Sequence, residues 1–173
     1  PDTWTPLAET LFEAKRYFGG DSVFLGSQSV SDSKDPSNSN KYQSPVISEC
    51  QPNNIVLLTD GEPTYDAYLS GNYDSTDDAA SRSVIQGEVG NCSGNCLDEI
   101  SKNMYDNPLT VPGLASAKNV TTYTIGFNLD HPLLKSTAQG DGTKANIGGG
   151  GLYFTADDTA ELDGALKNIL NDI

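Results

Sequence analysis

The apolar positions of this 173-residue chain fall into patches of two kinds, and the kinds alternate. Leu7, Leu11, Ala14 and Phe18 recur at helical spacing and stop at Gly19-Gly20. They predict a helix with a Thr5 hydroxyl as its cap and Pro6 at its first position, where a missing N–H costs nothing. Asn54-Ile55-Val56-Leu57-Leu58-Thr59 is instead a short unbroken apolar run ending in Asp60-Gly61, the pattern of a strand buried on both faces of a parallel sheet. Leu97, Ile100 and Met104 restore the helical period, with Asp98 and Glu99 near the positive end of that helix's dipole. Val120 to Phe127 is β-branched and aromatic and predicts a second strand. Pro132 to Thr137 predicts a short helix and Leu152-Tyr153-Phe154 a third strand. Asp158 with Glu161 three residues on resembles a capping box, ahead of a last helix whose Leu162, Ala165, Leu166, Ile169 and Leu170 share one face.

Two stretches, at about 20–48 and 64–96, carry no such period. The first is crowded with Ser, Asn, Asp and Gly and reads as a long surface loop. The second holds Asp66, Asp74, Asp77 and Asp78, and a helix is expected within Asp77 to Gln86. Its acidic residues lack the regular spacing of an EF-hand loop and read as solvated surface. Gly148 to Gly151 does not follow a strand and open a helix, and no Lys-Ser or Lys-Thr pair follows it, so it reads as a flexible turn rather than a phosphate cradle.

Alternating helices and strands imply right-handed crossovers and an α/β fold, with a mainly parallel sheet flanked by helices. Only three sheet strands are visible, which would leave the very apolar Ile55 to Leu58 near an edge, and folded proteins avoid such edges. Further strands are therefore expected upstream of Pro1, with residues 1–173 forming the C-terminal part of a larger α/β domain.

Charge narrows the function classes. The chain has 10 Lys and Arg against 24 Asp and Glu, a net charge of −14, which speaks against nucleic acid as a partner because phosphates are met by basic clusters. No apolar run approaches a membrane-spanning length. The three cysteines, Cys50, Cys92 and Cys96, stand with a single histidine, His131. That set argues against a zinc cluster and for one disulfide, either Cys92 to Cys96 locally or Cys50 to one of them. Any mechanism needing a catalytic histidine must pass through His131, which looks like a solvated turn residue.

In open α/β sheets, ligands bind beyond the carboxyl ends of the strands. Asp60 stands there and could hold a hard divalent cation or cap the turn, and the Thr5 hydroxyl could supply a second hard oxygen or serve as an ordinary helix cap.

Thr5-Pro6-Leu7-Ala8-Glu9-Thr10-Leu11, followed by Ile55-Val56-Leu57-Leu58-Thr59-Asp60-Gly61-Glu62-Pro63-Thr64, resembles a von Willebrand factor A domain. Cys96-Leu97-Asp98-Glu99, Asn119 to Phe127 and Asp130-His131-Pro132-Leu133-Leu134 bring the resemblance closer to the A domain of the PilC/PilY family of type IV pilus tip-associated biogenesis factors and adhesins. The resemblance implies a von Willebrand A-type sheet and a metal-ion-dependent adhesion site, with Thr5 and Asp60 as ligands of Mg²⁺, Mn²⁺ or Ca²⁺. The Asp-x-Ser-x-Ser loop of such sites has no counterpart here, so the site is expected to be incomplete within this chain. The implied role is non-enzymatic adhesion and pilus assembly, secreted to the bacterial cell surface, with minor pilins and an acidic surface ligand as partners. A chelatase-like recognition subunit and, more remotely, a metal-dependent hydrolase are the competing expectations.

Overall fold

The computed structural model describes residues 5–24, 30–62, 76–92, 94–116, 119–140 and 148–173, with backbone alone at 76–80. Helix α1 (Leu7–Gly19) is followed by a 3₁₀ turn (Ser31–Ser33) and strands β1 (Lys34–Asp35), β2 (Asn38–Tyr42) and β3 (Asn53–Thr59). Then come α2 (Thr76–Val89), α3 (Leu97–Asp106), β4 (Val120–Phe127), α4 (Pro132–Gln139), β5 (Gly150–Ala156) and α5 (Thr159–Asp172). Asp66 and Asp74 lie outside the described residues, as do the side chains of Asp77 and Asp78.

β3, β4 and β5 form one parallel sheet in that order, with Leu58 opposite Ile125 and Ile125 opposite Phe154. Alternation along each strand sends its side chains to two layers. On one face, Ile55 and Leu57 of β3 and Val120 of β4 pack with α1, α3 and α4, whose Leu11, Phe12, Leu97, Ile100, Met104 and Leu134 are buried. On the other, Tyr123, Ile125 and Phe127 of β4 and Phe154 of β5 meet Ala165 and Ile169 of α5.

The ends of the helices follow local chemistry. α1 closes on Gly20, whose left-handed φ of 68° lets its N–H and that of Asp21 return to the Tyr17 and Arg16 carbonyls. It opens one residue later than expected: Pro6 holds the cap position with no side-chain cap bond, and its carbonyl accepts from the Thr10 hydroxyl at 2.6 Å. Asp158 caps α5 as expected, its Oδ1 accepting from the Ala160 and Glu161 N–H groups at 2.8 and 2.9 Å. The Glu161 carboxylate reaches back to the Asp157 N–H instead of the cap residue's own.

Four expectations are corrected. β3 is not buried on both faces, since Val56 and Leu58 are 42% and 51% exposed. The apolar face of α5 is only half used, with Leu166 40% and Leu170 72% exposed. Both have one cause: α5 is the only described helix on that face, and it sits over β4 and β5 rather than β3. The stretch at 20–48 is not a plain loop. β1 and β2 form an antiparallel hairpin around Pro36-Ser37, and Ser22 pairs with Lys41. Asp35 shapes its turn by accepting from the Ser37 N–H and hydroxyl at 2.7 and 2.6 Å, bonds that hold its carboxyl below the usual range. Finally, Gly148 to Gly151 is a close-packed seam. A Cβ at Gly149 would stand 2.1 Å from the Ser101 hydroxyl, while the Gly149 N–H and carbonyl bond to Thr137 and Thr122.

The helix expected within Asp77 to Gln86 is α2, and it is longer than anticipated. Arg82 of α2 donates to the Cys92 and Gly94 carbonyls at 3.0 and 2.8 Å. Cys92 and Cys96 form a disulfide and Cys50 is free and exposed, which settles the pairing in favour of the local bridge. Among the described residues, no helix is long and apolar enough to cross a membrane.

Candidate functional site at the carboxyl end of the sheet

A parallel strand delivers the next residues to the sheet's carboxyl end, and for β3 those residues are Asp60 and Gly61. Thr59 fixes the exit: its hydroxyl donates to the Gly61 carbonyl at 2.9 Å and accepts from the Gly61 N–H at 3.2 Å. The short hydroxyl loop holds Asp60 outward, exposed, so that its carboxylate stays hydrated.

Thr5, far away in sequence, arrives at the same place because α1 starts there. Its hydroxyl oxygen lies 3.3 Å from the position a Cβ would take at Gly61, so the absence of a side chain at Gly61 keeps the approach open. Thr5, Thr59 and Asp60 line a cleft of about 570 Å³ whose remaining walls are Leu7, Leu58, Phe127 and Leu162. The two residues expected to share a site thus line one cleft, with apolar walls supplied by α1, β3, β4 and α5.

The donor set tests what could be held. A threonine hydroxyl and an aspartate carboxylate are hard oxygens, suited to Mg²⁺, Mn²⁺ or Ca²⁺ and not to soft metals. Two such side chains leave most positions of a six-coordinate ion to water or other donors. Among the described residues, no group of three or more His, Cys, Asp or Glu is placed to hold an ion.

A second polar cluster lies past the end of β4. The Tyr153 hydroxyl donates to Asp130 Oδ1 at 2.9 Å and accepts from the His131 N–H at 3.2 Å. Burial, reinforced by the bond to the Asp130 carboxylate, pushes the Tyr153 phenol above its ordinary range. His131 caps α4, its Nδ1 accepting from the Leu133 N–H at 3.2 Å. The Leu129 carbonyl beside this cluster lies so close to β4 that a Cβ at Gly126 would meet it at 2.0 Å. Sequence reasoning missed the partnership of Tyr153 and Asp130, because no fixed spacing links a mid-strand tyrosine to a residue beyond the preceding strand.

No protein-family model, curated protein or solved structure matches this chain.

Proposed function

We propose that this chain is part of a von Willebrand A-type recognition module that binds its partner through a hard divalent cation and breaks no bond. The observation that carries the reading is the shared cleft, in which the Thr5 hydroxyl and the Asp60 carboxylate stand at the carboxyl end of β3. When bound, Mg²⁺, or Mn²⁺ or Ca²⁺, would supply a positive centre to which an acidic group of a partner could add. Asp60 would provide charge, Thr5 a neutral oxygen, and Leu58, Phe127 and Leu162 a wall that limits water on one side.

With the sequence resemblance, the reading extends to adhesion and assembly at the tip of a bacterial type IV pilus, with minor pilins and an acidic surface ligand as partners. The Cys92–Cys96 disulfide favours a secreted, surface-exposed location over the intracellular chelatase-like alternative, since such bonds persist in oxidising compartments.

The test is a titration of thermal stability with Mg²⁺ and Mn²⁺. An ion that binds only the folded protein adds about 2.7 kcal/mol at a concentration 100 times its Kd. The expected result is a saturable rise in Tm that disappears in Asp60→Ala and shrinks in Thr5→Val. A rise of equal size in Asp60→Ala, or none in the parent protein, overturns the reading.

A further inference from the structure

The cleft at the carboxyl end of the sheet has two halves of different chemistry, and a cation would meet only one of them. Its polar half holds the Thr5 hydroxyl and the Asp60 carboxylate, where β3 meets the start of α1. Leu58, Phe127 and Leu162 line the other half and come from β3, β4 and α5. These three are apolar without being buried: Leu58 is 51% exposed, and Phe127 and Leu162 are half-buried. An ion needs oxygens and water, not such a wall. Ligand sites, in contrast, are mostly apolar with a few placed polar groups, and the cleft's volume of about 570 Å³ falls within their ordinary range.

Register sets the distance between the halves. Thr59 is opposite Gly126 and Phe127 opposite Ala156, so Asp60, Phe127 and Ala156 stand in one row across the strand ends. Neighbouring strands lie about 4.8 Å apart, which puts Phe127 one strand spacing from Asp60. α5, which covers β4 and β5, begins further along the same row. An extended peptide turns alternate side chains to one side and advances about 3.3 Å per residue. A segment crossing the row with one side chain at the oxygens therefore brings the side chain two residues away, at about 6.6 Å, over Phe127 and Leu162. Asp60 and Leu58 are exposed, so the cleft is open along this path. That shape suits a segment lying across it better than a small molecule, most of whose surface would need to be enclosed.

Charge selects what else the segment carries. Leu162 stands beside Asp157, Asp158 and Glu161, all exposed, and the chain bears a net charge of −14. Like charges brought together at an interface cost affinity, so a run of acids is disfavoured there and a basic residue is matched.

We infer that the acidic group recognised at this cleft belongs to an extended peptide segment of a partner, with a large apolar side chain two residues from the acid and a basic residue beyond it. The apolar side chain enters between Leu58, Phe127 and Leu162. This inference rests on the cation reading above and adds to it the residues that accompany the acid.

Fluorescence anisotropy on the native protein in saturating Mg²⁺ tests it. The probes are labelled, blocked peptides containing Glu-Ser-Leu-Lys and, for the opposite chain direction, Lys-Leu-Ser-Glu. The expected result is that one of them binds and is released by EDTA, and that replacing its Leu by Ala weakens binding at least about 10-fold. Replacing its Lys by Glu should weaken binding more at low salt than at high salt. In Leu162→Ala, and equally in Leu58→Ala, the ratio of the Leu and Ala peptides should fall to within about 2-fold, which a weakened cation site alone would not produce. Equal binding of the two peptides, a ratio unchanged in both variants, or tighter binding of an all-Glu peptide overturns the inference. If the protein's Tm rises with Mg²⁺ yet neither peptide binds, this inference alone fails. If Mg²⁺ produces no rise, the cation reading fails and takes this one with it.

Discussion

The two faces of the sheet begin from the same strands and end differently. On the α1, α3 and α4 side, helices cover β3 and β4, and Phe12, Leu97, Ile100 and Leu134 are fully buried. On the α5 side, β4 and β5 are covered, while Val56 and Leu58 of β3 and Leu166 and Leu170 of α5 meet solvent. An apolar residue on a well-formed strand or helix is therefore not yet a core residue. The element supplies the direction of the side chain, and a second layer must supply the contact.

The contrast predicts a graded set of stability changes. The largest belongs to the closed face, where Phe12→Ala should cost about 3–5 kcal/mol, read as a fall in the urea midpoint, because Phe12 is fully buried in that core cluster and its loss leaves a cavity. Replacing Cys92 and Cys96 together by Ser should cost less, about 2 kcal/mol for so short a loop, measured by the same unfolding curve.

On the α5 side, Tyr123 donates to Asp172 at 2.8 Å, and burial, followed by that carboxylate, raises its phenol from the ordinary 10.0 to about 12. A raised folded pKa means stability that is complete below pH 10 and lost as pH climbs from 10 to 12. Tyr123→Phe should lower stability at pH 7 by about 1 kcal/mol and flatten that alkaline loss, as followed by unfolding curves at several pH values. The smallest effect should be that of Leu170→Ala, within about 0.5 kcal/mol in the 173-residue chain. A cost near that of Phe12→Ala would break the comparison and mean that the α5 face is covered in solution.

What the sequence made legible follows the same division. The β4 boundaries, the α3 face, the Asp158 cap and the Gly20 stop were all readable, because each is written in a local pattern that one element satisfies alone. The exposure of Leu166 and Leu170 was not, since helical spacing names a face without saying what lies opposite it. The hairpin at β1 and β2 escaped because Asn38 to Lys41 are all exposed and polar, leaving no alternation to detect. Its anchorage is equally remote in sequence: the Tyr42 hydroxyl donates to Glu13 of α1 at 2.6 Å. For the candidate site, Asp60 was readable from its place after an apolar run and Thr5 from its place at a helix start, each with an ordinary capping role as the alternative, and the resemblance joined the two. The apolar wall of Phe127 and Leu162 depends on how three elements meet and left no signal.

The loop between Cys92 and Cys96 is held by more than its sulfur bridge. Arg82 grips the Cys92 and Gly94 carbonyls, and the Asn95 side chain accepts from the Leu97 N–H at 2.8 Å. These bonds involve no sulfur, so reduction of the bridge does not by itself remove them, and they should hold the two thiols near one another at a high effective concentration. Once a small-molecule disulfide is supplied as the oxidant, one thiolate attacks it and the second displaces the leaving thiol within the same loop, so re-closure is favoured over a lasting mixed disulfide. With that oxidant present, a transient reducing pulse should leave the protein as it was before.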